Sequence, residues 1–283
     1  MKKADLIILA GQSNAVGVGH EEYLPDHFPK EKVEEYKKGY ETIKINYFSQ
    51  NIKSNGFVNT TLCSTKQNKK LIGPELGMAE FLSSIKSESE IFIVKCAFGT
   101  TTLYCDWLSP SSGANYDALA FANQKSDIVA SLDSHEELRA GWCYNELVKL
   151  TKESISLLES KGFSPRIRAF CWMQGESDAN RGYVTHYSER YGNMLNDFNA
   201  EFSNYLEDCV YIDAGIGKIW NNQKHMNSLK YEYSKSHKNC IFIDTIANGL
   251  TTENEPKDNP DIAHYDSDSV IKLGWLFAEN MGF

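Results

Sequence analysis

The chain has 283 residues, a formal net charge of -9, 41% hydrophobic residues and 24% charged residues. This composition is typical of a globular protein with a sizeable core and excludes disorder on a large scale. The acidic charge argues against nucleic acid as a partner, because nucleic-acid-binding proteins concentrate Lys and Arg. No apolar run approaches the ~18 residues of a membrane span, so no membrane partner is expected.

The length favours a single domain over residues 1–283, with loop insertions near residues 20–40, 49–70 and 104–141. The seven cysteines are dispersed and lie mostly within apolar runs, which predicts reduced thiols in the core. The sequence has no Cys-x-x-Cys spacing, so no structural zinc is expected. The N-terminal apolar run leads directly into a polar motif, so we expect a cytoplasmic chain unless a leader was removed.

Apolar runs of strand length alternate with segments of helical spacing along the chain. The first predicted strand covers residues 4–10 and leads through Gly11 into polar residues, which indicates a sharp turn that opens a helix. Further predicted strands cover residues 42–48, 91–97, 166–173, 210–212 and 240–243, and predicted helices cover residues 78–82, 147–158, 183–205 and 268–281. This alternation predicts an α/β fold, a mostly parallel sheet with helices on both faces.

Ser13 follows the first predicted strand in the sequence Gly-Gln-Ser-Asn at residues 11–14. Ligands of open α/β sheets bind at the carboxyl ends of the strands, where the N–H groups of a helix start are free. Ser13 is therefore a candidate nucleophile. The alternative is that Ser13 and Asn14 only cap the helix, as short polar residues often do.

Three further motifs lie at strand ends or before the last helix. They are Gly99-Thr100, Gln-Gly-Glu at residues 174–176, and an Asp-x-x-His formed by Asp261 and His264. Serine hydrolysis needs a nucleophile, a base, a carboxylate that orients the base, and donors for the oxyanion. Together with Ser13, these motifs contain every residue type that such chemistry requires.

The motifs resemble those of the SGNH (GDSL-like) hydrolase superfamily, specifically its carbohydrate acetylesterase branch, related to sialate O-acetylesterase and family 6 acetyl xylan esterases. The resemblance is carried, in the family's order, by Gly-Gln-Ser-Asn at 11–14, Gly-Pro-Glu-Leu-Gly at 73–77, Ala-Phe-Gly-Thr-Thr-Thr-Leu at 97–103, Trp-Met-Gln-Gly-Glu-Ser-Asp at 172–178, and the Asp-x-x-His at 261–264. It implies a flavodoxin-like, three-layer α/β/α sandwich and chemistry without a metal or an organic cofactor.

The resemblance also implies catalytic roles for individual residues. Ser13 would attack the acetyl carbonyl of a carbohydrate ester, His264 would take and later return the proton, and Asp261 would orient the imidazole. An acetyl-enzyme would form, and water would release acetate. Glu176 is an alternative orienting carboxylate, which we rank behind Asp261.

The resemblance further implies an oxyanion hole and a substrate-binding set. The implied oxyanion donors are the backbone N–H groups of Ser13 and of Gly99 or Thr100, and the side-chain amide of Gln174. Thr100 stands where the family usually has a glycine, and we expect it to keep its donor only if its φ is negative. The candidate substrate-binding residues are Gln12, Asn14 and Trp107.

Two other functions and one other nucleophile remain open at this point. The same scaffold could act as a general short-chain esterase or thioesterase, or as a carbohydrate-binding homologue without activity. Cys96 or Cys171 could replace serine as the nucleophile, although both lie in apolar runs that should bury them.

Overall fold

A mostly parallel sheet lies at the centre of the computed structural model, which describes residues 2–66, 69–112 and 140–283. The strands of the described residues are β1 (Lys2–Gly11), β2 (Gly19–His20), β3 (Tyr40–Ser49), β4 (Ile52–Lys53), β5 (Val58–Thr60), β6 (Cys63–Lys66), β7 (Lys69–Ile72), β8 (Glu90–Ala97), β9 (Phe163–Met173), β10 (Leu206–Ala214) and β11 (Cys240–Ile243). The sheet order is β11-β10-β9-β1-β8-β3-β4, and β5 pairs with β3.

The helices flank this sheet and supply the outer layers. Those of the described residues are α1 (Ser13–Val16), α2 (Leu24–His27), α3 (Lys30–Lys38), α4 (Pro74–Ser84), α5 (Trp142–Ser160), α6 (Glu176–Arg181), α7 (Tyr187–Glu201), α8 (Gln223–Ser236) and α9 (Ser267–Glu279). The predicted α/β fold with a mostly parallel sheet is confirmed. None of the described helices is long and apolar enough to span a membrane.

Strand β1 is the middle of the sheet and positions the start of α1. It pairs in parallel with β8 and β9, and residues 4–11 are all buried, because helices cover both faces of the sheet. Gly11 lies beside Ala97 and Met173 in register, so three strands end at the same edge. Gly11 has φ +144°, and a Cβ there would lie 2.0 Å from the carbonyl oxygen of Met173. Only glycine fits this position, which is why the chain can turn sharply before Ser13.

Helices α4 and α9 pack closely enough to bring their backbones into contact. A Cβ on Gly77 would lie 1.9 Å from the carbonyl oxygen of Ile271, and a Cβ on Gly274 would lie 1.9 Å from that of Pro74. The two glycines remove the side chains that would separate the helices. This packing fixes the first residue of α9 relative to α4, and the Asp-x-x-His segment precedes α9 directly.

The loop predictions were partly wrong. Residues 49–70 contain β4, β5 and β6 and the beginning of β7, and β2, β7 and β6 form a small antiparallel sheet. Residues 20–40 contain α2 and α3. These strands are two to four residues long and polar, so they lack the hydrophobic alternation by which a strand is recognised. Most of the predicted insertion at 104–141 lies outside the described residues.

Candidate active site

Ser13 lies at the carboxyl edge of the central sheet, as the first residue of α1. Gln12 precedes the helix, and its backbone N–H donates to the carbonyl oxygen of Met173 at 2.9 Å. Because Ser13 is already inside the helix, its hydroxyl does not occupy the N-cap position, so the capping interpretation was wrong for Ser13. Ser13 is 9% exposed. Its backbone N–H belongs to the first turn and has no carbonyl partner within the helix.

A buried ion pair holds the other end of α1. Lys95 donates from Nζ to the carbonyl oxygen of Val16 at 2.7 Å and to Oε2 of Glu75 at 2.6 Å, and both charged side chains are fully buried. Lys95 belongs to β8 and Glu75 to the first turn of α4, so three elements meet at the end of the serine helix. Sequence reasoning gave Lys95 no role, although a lysine inside the apolar run 91–97 was a signal of a buried partner.

Asp261 and His264 form a hydrogen-bonded pair on the loop before α9. Nδ1 of His264 donates to Oδ2 of Asp261 at 2.7 Å. A tight turn produces this contact, because the backbone N–H of His264 donates to the carbonyl oxygen of Asp261 at 3.1 Å. The side chains are 25% exposed for His264 and 42% exposed for Asp261. Nδ1 is occupied by the carboxylate, so Nε2 is the ring nitrogen that could exchange a proton with a substrate or a nucleophile.

Asn14 joins the serine segment to this loop. Its Nδ2 donates to the carbonyl oxygen of Ala263 at 3.4 Å, and its Oδ1 accepts from the backbone N–H of Tyr265 at 3.0 Å. The backbone on both sides of His264 is therefore held against the residue that follows Ser13. Asn14 is only 3% exposed, and its role in substrate binding stays a prediction.

Glu176, the alternative orienting carboxylate, contacts Asn14 and not the imidazole. Its Oε1 accepts from Nδ2 of Asn14 at 2.8 Å, and its Oε2 has no hydrogen-bond partner among the described residues. Burial raises the pKa of Glu176 above its usual value, and the hydrogen bond from Asn14 opposes this shift. The carboxylate in hydrogen-bond contact with His264 is that of Asp261.

The loop after β8 carries the predicted oxyanion donors Gly99 and Thr100. The backbone N–H of Phe98 donates to the carbonyl oxygen of Gly11 at 3.0 Å, which keeps this loop next to the turn before Ser13. Thr100 is exposed and has φ +58°. The condition of a negative φ is not met: the threonine adopts the left-handed conformation that glycine takes more easily, and this costs it about 1–2 kcal/mol.

The side-chain amide of Gln174 is bonded inside the fold. Its side chain is fully buried, and Nε2 donates to Oδ2 of Asp178 at 2.5 Å and to the carbonyl oxygen of Thr101 at 3.1 Å. Nε2 also lies 3.3 Å from Oε1 of Gln12, so three acceptors surround its two amide hydrogens. The role of the Gln174 side chain as an oxyanion donor stays a prediction. Burial also raises the pKa of Asp178 to about 6.

Gln12 and Trp107 are also internal residues. Oε1 of Gln12 accepts from the backbone N–H groups of Ser177 at 3.2 Å and of Gly175 at 3.4 Å, at the start of α6. Nε1 of Trp107 donates to Oγ1 of Thr101 at 2.9 Å. The side chains are 1% exposed for Gln12 and 0% for Trp107. Both side chains satisfy polar groups inside the fold, and their contact with substrate stays a prediction.

Among the residues that the structure describes, no group of three or more His, Cys, Asp or Glu side chains is arranged to hold a metal ion. Near this sheet edge lie the Ser13 segment and, tied to it through Asn14, the loop that carries the Asp261–His264 pair. This set can perform acyl transfer.

A model of the family "Carbohydrate esterase, sialic acid-specific acetylesterase" matches residues 3–282. The chain belongs to this family. It is a carbohydrate O-acetylesterase, and its substrate is a carbohydrate acetyl ester. The resemblance to the carbohydrate acetylesterase branch is thereby confirmed.

Solved structures share the fold. NanS matches with a TM-score of 0.68 and 19% identity over 99% of this chain and 97% of NanS. A protein from Arabidopsis thaliana matches with a TM-score of 0.65 and 17% identity over 98% of this chain and 97% of that one. A carbohydrate acetylesterase from Xanthomonas citri matches with a TM-score of 0.55 and 12% identity over 98% of this chain and 55% of that one. A search of curated proteins finds no match.

Proposed function

We propose that this acetylesterase is a serine esterase in which Ser13 is the nucleophile, His264 the general base and Asp261 the residue that orients the imidazole. The observation that carries the proposal is the pair of hydrogen bonds from Asn14 to the backbone on both sides of His264. Those bonds connect the loop of the Asp261–His264 pair to α1, the helix that begins at Ser13 after β1.

The reaction would proceed in two steps. In the first, Nε2 of His264 takes the Ser13 hydroxyl proton as Oγ bonds to the acetyl carbon. The carbon–oxygen bond to the sugar then breaks, and the imidazolium gives its proton to the departing sugar hydroxyl. In the second, His264 deprotonates water, which attacks the acetyl-enzyme and releases acetate and the free serine.

The negative charge of each tetrahedral intermediate needs donors that are already in place. The backbone N–H of Ser13 is one candidate, because it lies in the first turn of α1. The backbone N–H of Gly99 is the second, on the loop tied to Gly11 by the bond from Phe98, because the φ of Thr100 is positive. Loss of one such donor typically lowers turnover by about 10²–10³.

A substrate panel tests this proposal. Acetate release would be measured from O-acetylated sialic acid, acetylated xylan and an aryl acetate, for the wild type and for Ser13→Ala. We expect Ser13→Ala to lose at least about 10³-fold in kcat on every substrate that the wild type cleaves. Preference for the aryl acetate over both sugars would favour a general short-chain esterase. Equal rates for wild type and variant would contradict the role of Ser13.

A further inference from the structure

We infer that Asn14 is a positioning residue that sets the separation between Ser13 and His264, with the buried Glu176 carboxylate as its fixed anchor. This inference rests on the proposed serine mechanism and adds a positioning role for two buried residues.

The hydrogen bonds of Asn14 use both N–H groups and the oxygen of its amide. Its two N–H groups are directed to Oε1 of Glu176 at 2.8 Å and to the carbonyl oxygen of Ala263 at 3.4 Å. Its oxygen accepts from the backbone N–H of Tyr265 at 3.0 Å. Aspartate has no donor at neutral pH and alanine has neither donor nor acceptor, so neither can replace this pattern.

The partners of Asn14 show which parts of the fold it connects. Glu176 begins α6 next to the carboxyl end of β9, so it belongs to the sheet-bound scaffold. Ala263 and Tyr265 belong to the loop that carries the partly exposed His264. Asn14 itself is in α1, one residue after Ser13. One amide therefore ties the base-bearing loop to the nucleophile helix and to the scaffold.

The anchor is a buried carboxylate. Glu176 is fully buried, Asn14 is its side-chain hydrogen-bond partner, and Oε2 has no hydrogen-bond partner among the described residues. Replacing Asn14 by aspartate would put two carboxyl groups in contact in a buried site, where they repel. Exchanging the two functional groups, with the carboxylate at position 14 and the amide at position 176, would restore a donor–acceptor pair and still accept from Tyr265.

The test is a set of folded variants assayed with an aryl acetate: Asn14→Ala, Asn14→Asp, Glu176→Gln and the double variant Asn14→Asp/Glu176→Gln. We expect Asn14→Ala and Asn14→Asp to lower kcat by about 10²-fold with little change in KM, because misplacement by about 1 Å costs this much. Glu176→Gln keeps an acceptor for Asn14 and should lose less than about tenfold. The double variant should regain at least tenfold over Asn14→Asp.

Asn46 provides the matched control. It is also a buried asparagine, 5% exposed, and it is bonded to Ser154 at 2.8 Å and to Ser54 at 2.8 Å. Asn46→Ala should lower the free energy of unfolding by about 1–3 kcal/mol and leave the kcat of the folded protein unchanged. A loss of kcat in Asn46→Ala equal to that in Asn14→Ala would assign the effect to stability alone and overturn the inference.

Other outcomes separate this inference from the proposed mechanism. Wild-type kcat in Asn14→Ala, alongside an inactive Ser13→Ala, would overturn only the positioning role. A double variant as impaired as Asn14→Asp would overturn the pairing with Glu176. An active Ser13→Ala would instead contradict the serine mechanism. If Asn14→Ala does not fold, the comparison of Asn14→Asp with the double variant decides the question.

Discussion

Ser13 and His264 belong to segments that are held in different ways, one by the core and the other by local hydrogen bonds in a partly exposed loop. Every residue of α1 is buried, and the helix is held at its start by β9 and at its end by Lys95. The His264 side chain is 25% exposed and that of Asp261 is 42% exposed. The nucleophile thus lies in a helix that the core holds, whereas the base lies in a partly exposed loop.

The loop compensates for its exposure with side-chain acceptors. Oδ1 of Asp266 accepts from the backbone N–H groups of Asn254 at 3.1 Å and Glu255 at 3.0 Å. The carbonyl oxygen of Glu255 accepts from the backbone N–H of Asp261 at 2.8 Å. These bonds fix a segment without regular secondary structure, and Asn14 connects it to the core. Substitutions that loosen the serine helix should therefore mainly lower stability, and substitutions in the loop that carries His264 should mainly lower activity.

The largest loss of activity without a matching loss of stability is expected for Asp261→Asn. The imidazole would lose the carboxylate that holds Nδ1 protonated, so kcat for acetate release should fall by about 10⁴ at neutral pH. The free energy of unfolding should change little, because the side chain is 42% exposed. Steady-state kinetics and urea unfolding measure both quantities. A fall in stability large enough to explain the lost activity would contradict the comparison.

Lys95→Met, in contrast, should chiefly lower the stability of the fold. This substitution leaves Glu75 buried without its cation, so the free energy of unfolding should fall by about 3–5 kcal/mol. The matched control is Lys2→Met, which breaks an exposed ion pair with Glu90, whose side chains are 77% and 51% exposed. Its loss should not exceed about 1 kcal/mol. Equal losses in urea unfolding would show that the buried pair does not stabilise the serine helix.

A smaller effect, an increase in stability, is expected for Thr100→Gly. Glycine accepts the φ of +58° without the cost that threonine bears, and its greater freedom in the unfolded state offsets part of the gain. The free energy of unfolding should rise by up to about 1 kcal/mol, and the backbone N–H stays in place. Thermal unfolding and kcat together test this, and a less stable variant would argue against strain at Thr100.

No effect on activity is expected from thiol alkylation. Cys96 and Cys171 are fully buried, and burial raises the pKa of each thiol well above its usual value. Iodoacetamide should leave acetate release unchanged in the native protein, with denatured protein as the control for reagent activity. Inactivation that follows modification of either residue would revive the cysteine nucleophile.

The sequence motifs predict that Ser13 follows the first strand and that Asp261 and His264 precede the last helix, and the structure has them at these places. Strand β1 is a continuous apolar run, so its end, and with it the position of Ser13, can be recognised from composition. The spacing of Asp261 and His264 suits a turn that returns the carboxylate to the imidazole. These features depend on local sequence, which is why they were predictable.

Side-chain direction was not predictable in the same way. Gln12, Asn14 and Gln174 stand in motifs at the sheet edge, yet each is turned inward to bond with N–H groups or carboxylates of the protein. A motif position defines which strand end a residue occupies, but for Gln12 and Asn14 partners more than 150 residues away decide where the polar atoms point. Lys95 was overlooked for the same reason, because its partners come from α1 and α4.

The most direct test of the central claim is the rate and position of covalent labelling by an organophosphonate inhibitor of serine hydrolases. Peptide mapping by mass spectrometry should locate the label on Ser13 in the wild type and find none in Ser13→Ala. Labelling should be at least about 10³-fold slower in His264→Ala, because the hydroxyl then lacks its base. A label on another residue, or a labelling rate that does not depend on His264, would contradict the assignment of Ser13 and His264 to one active site.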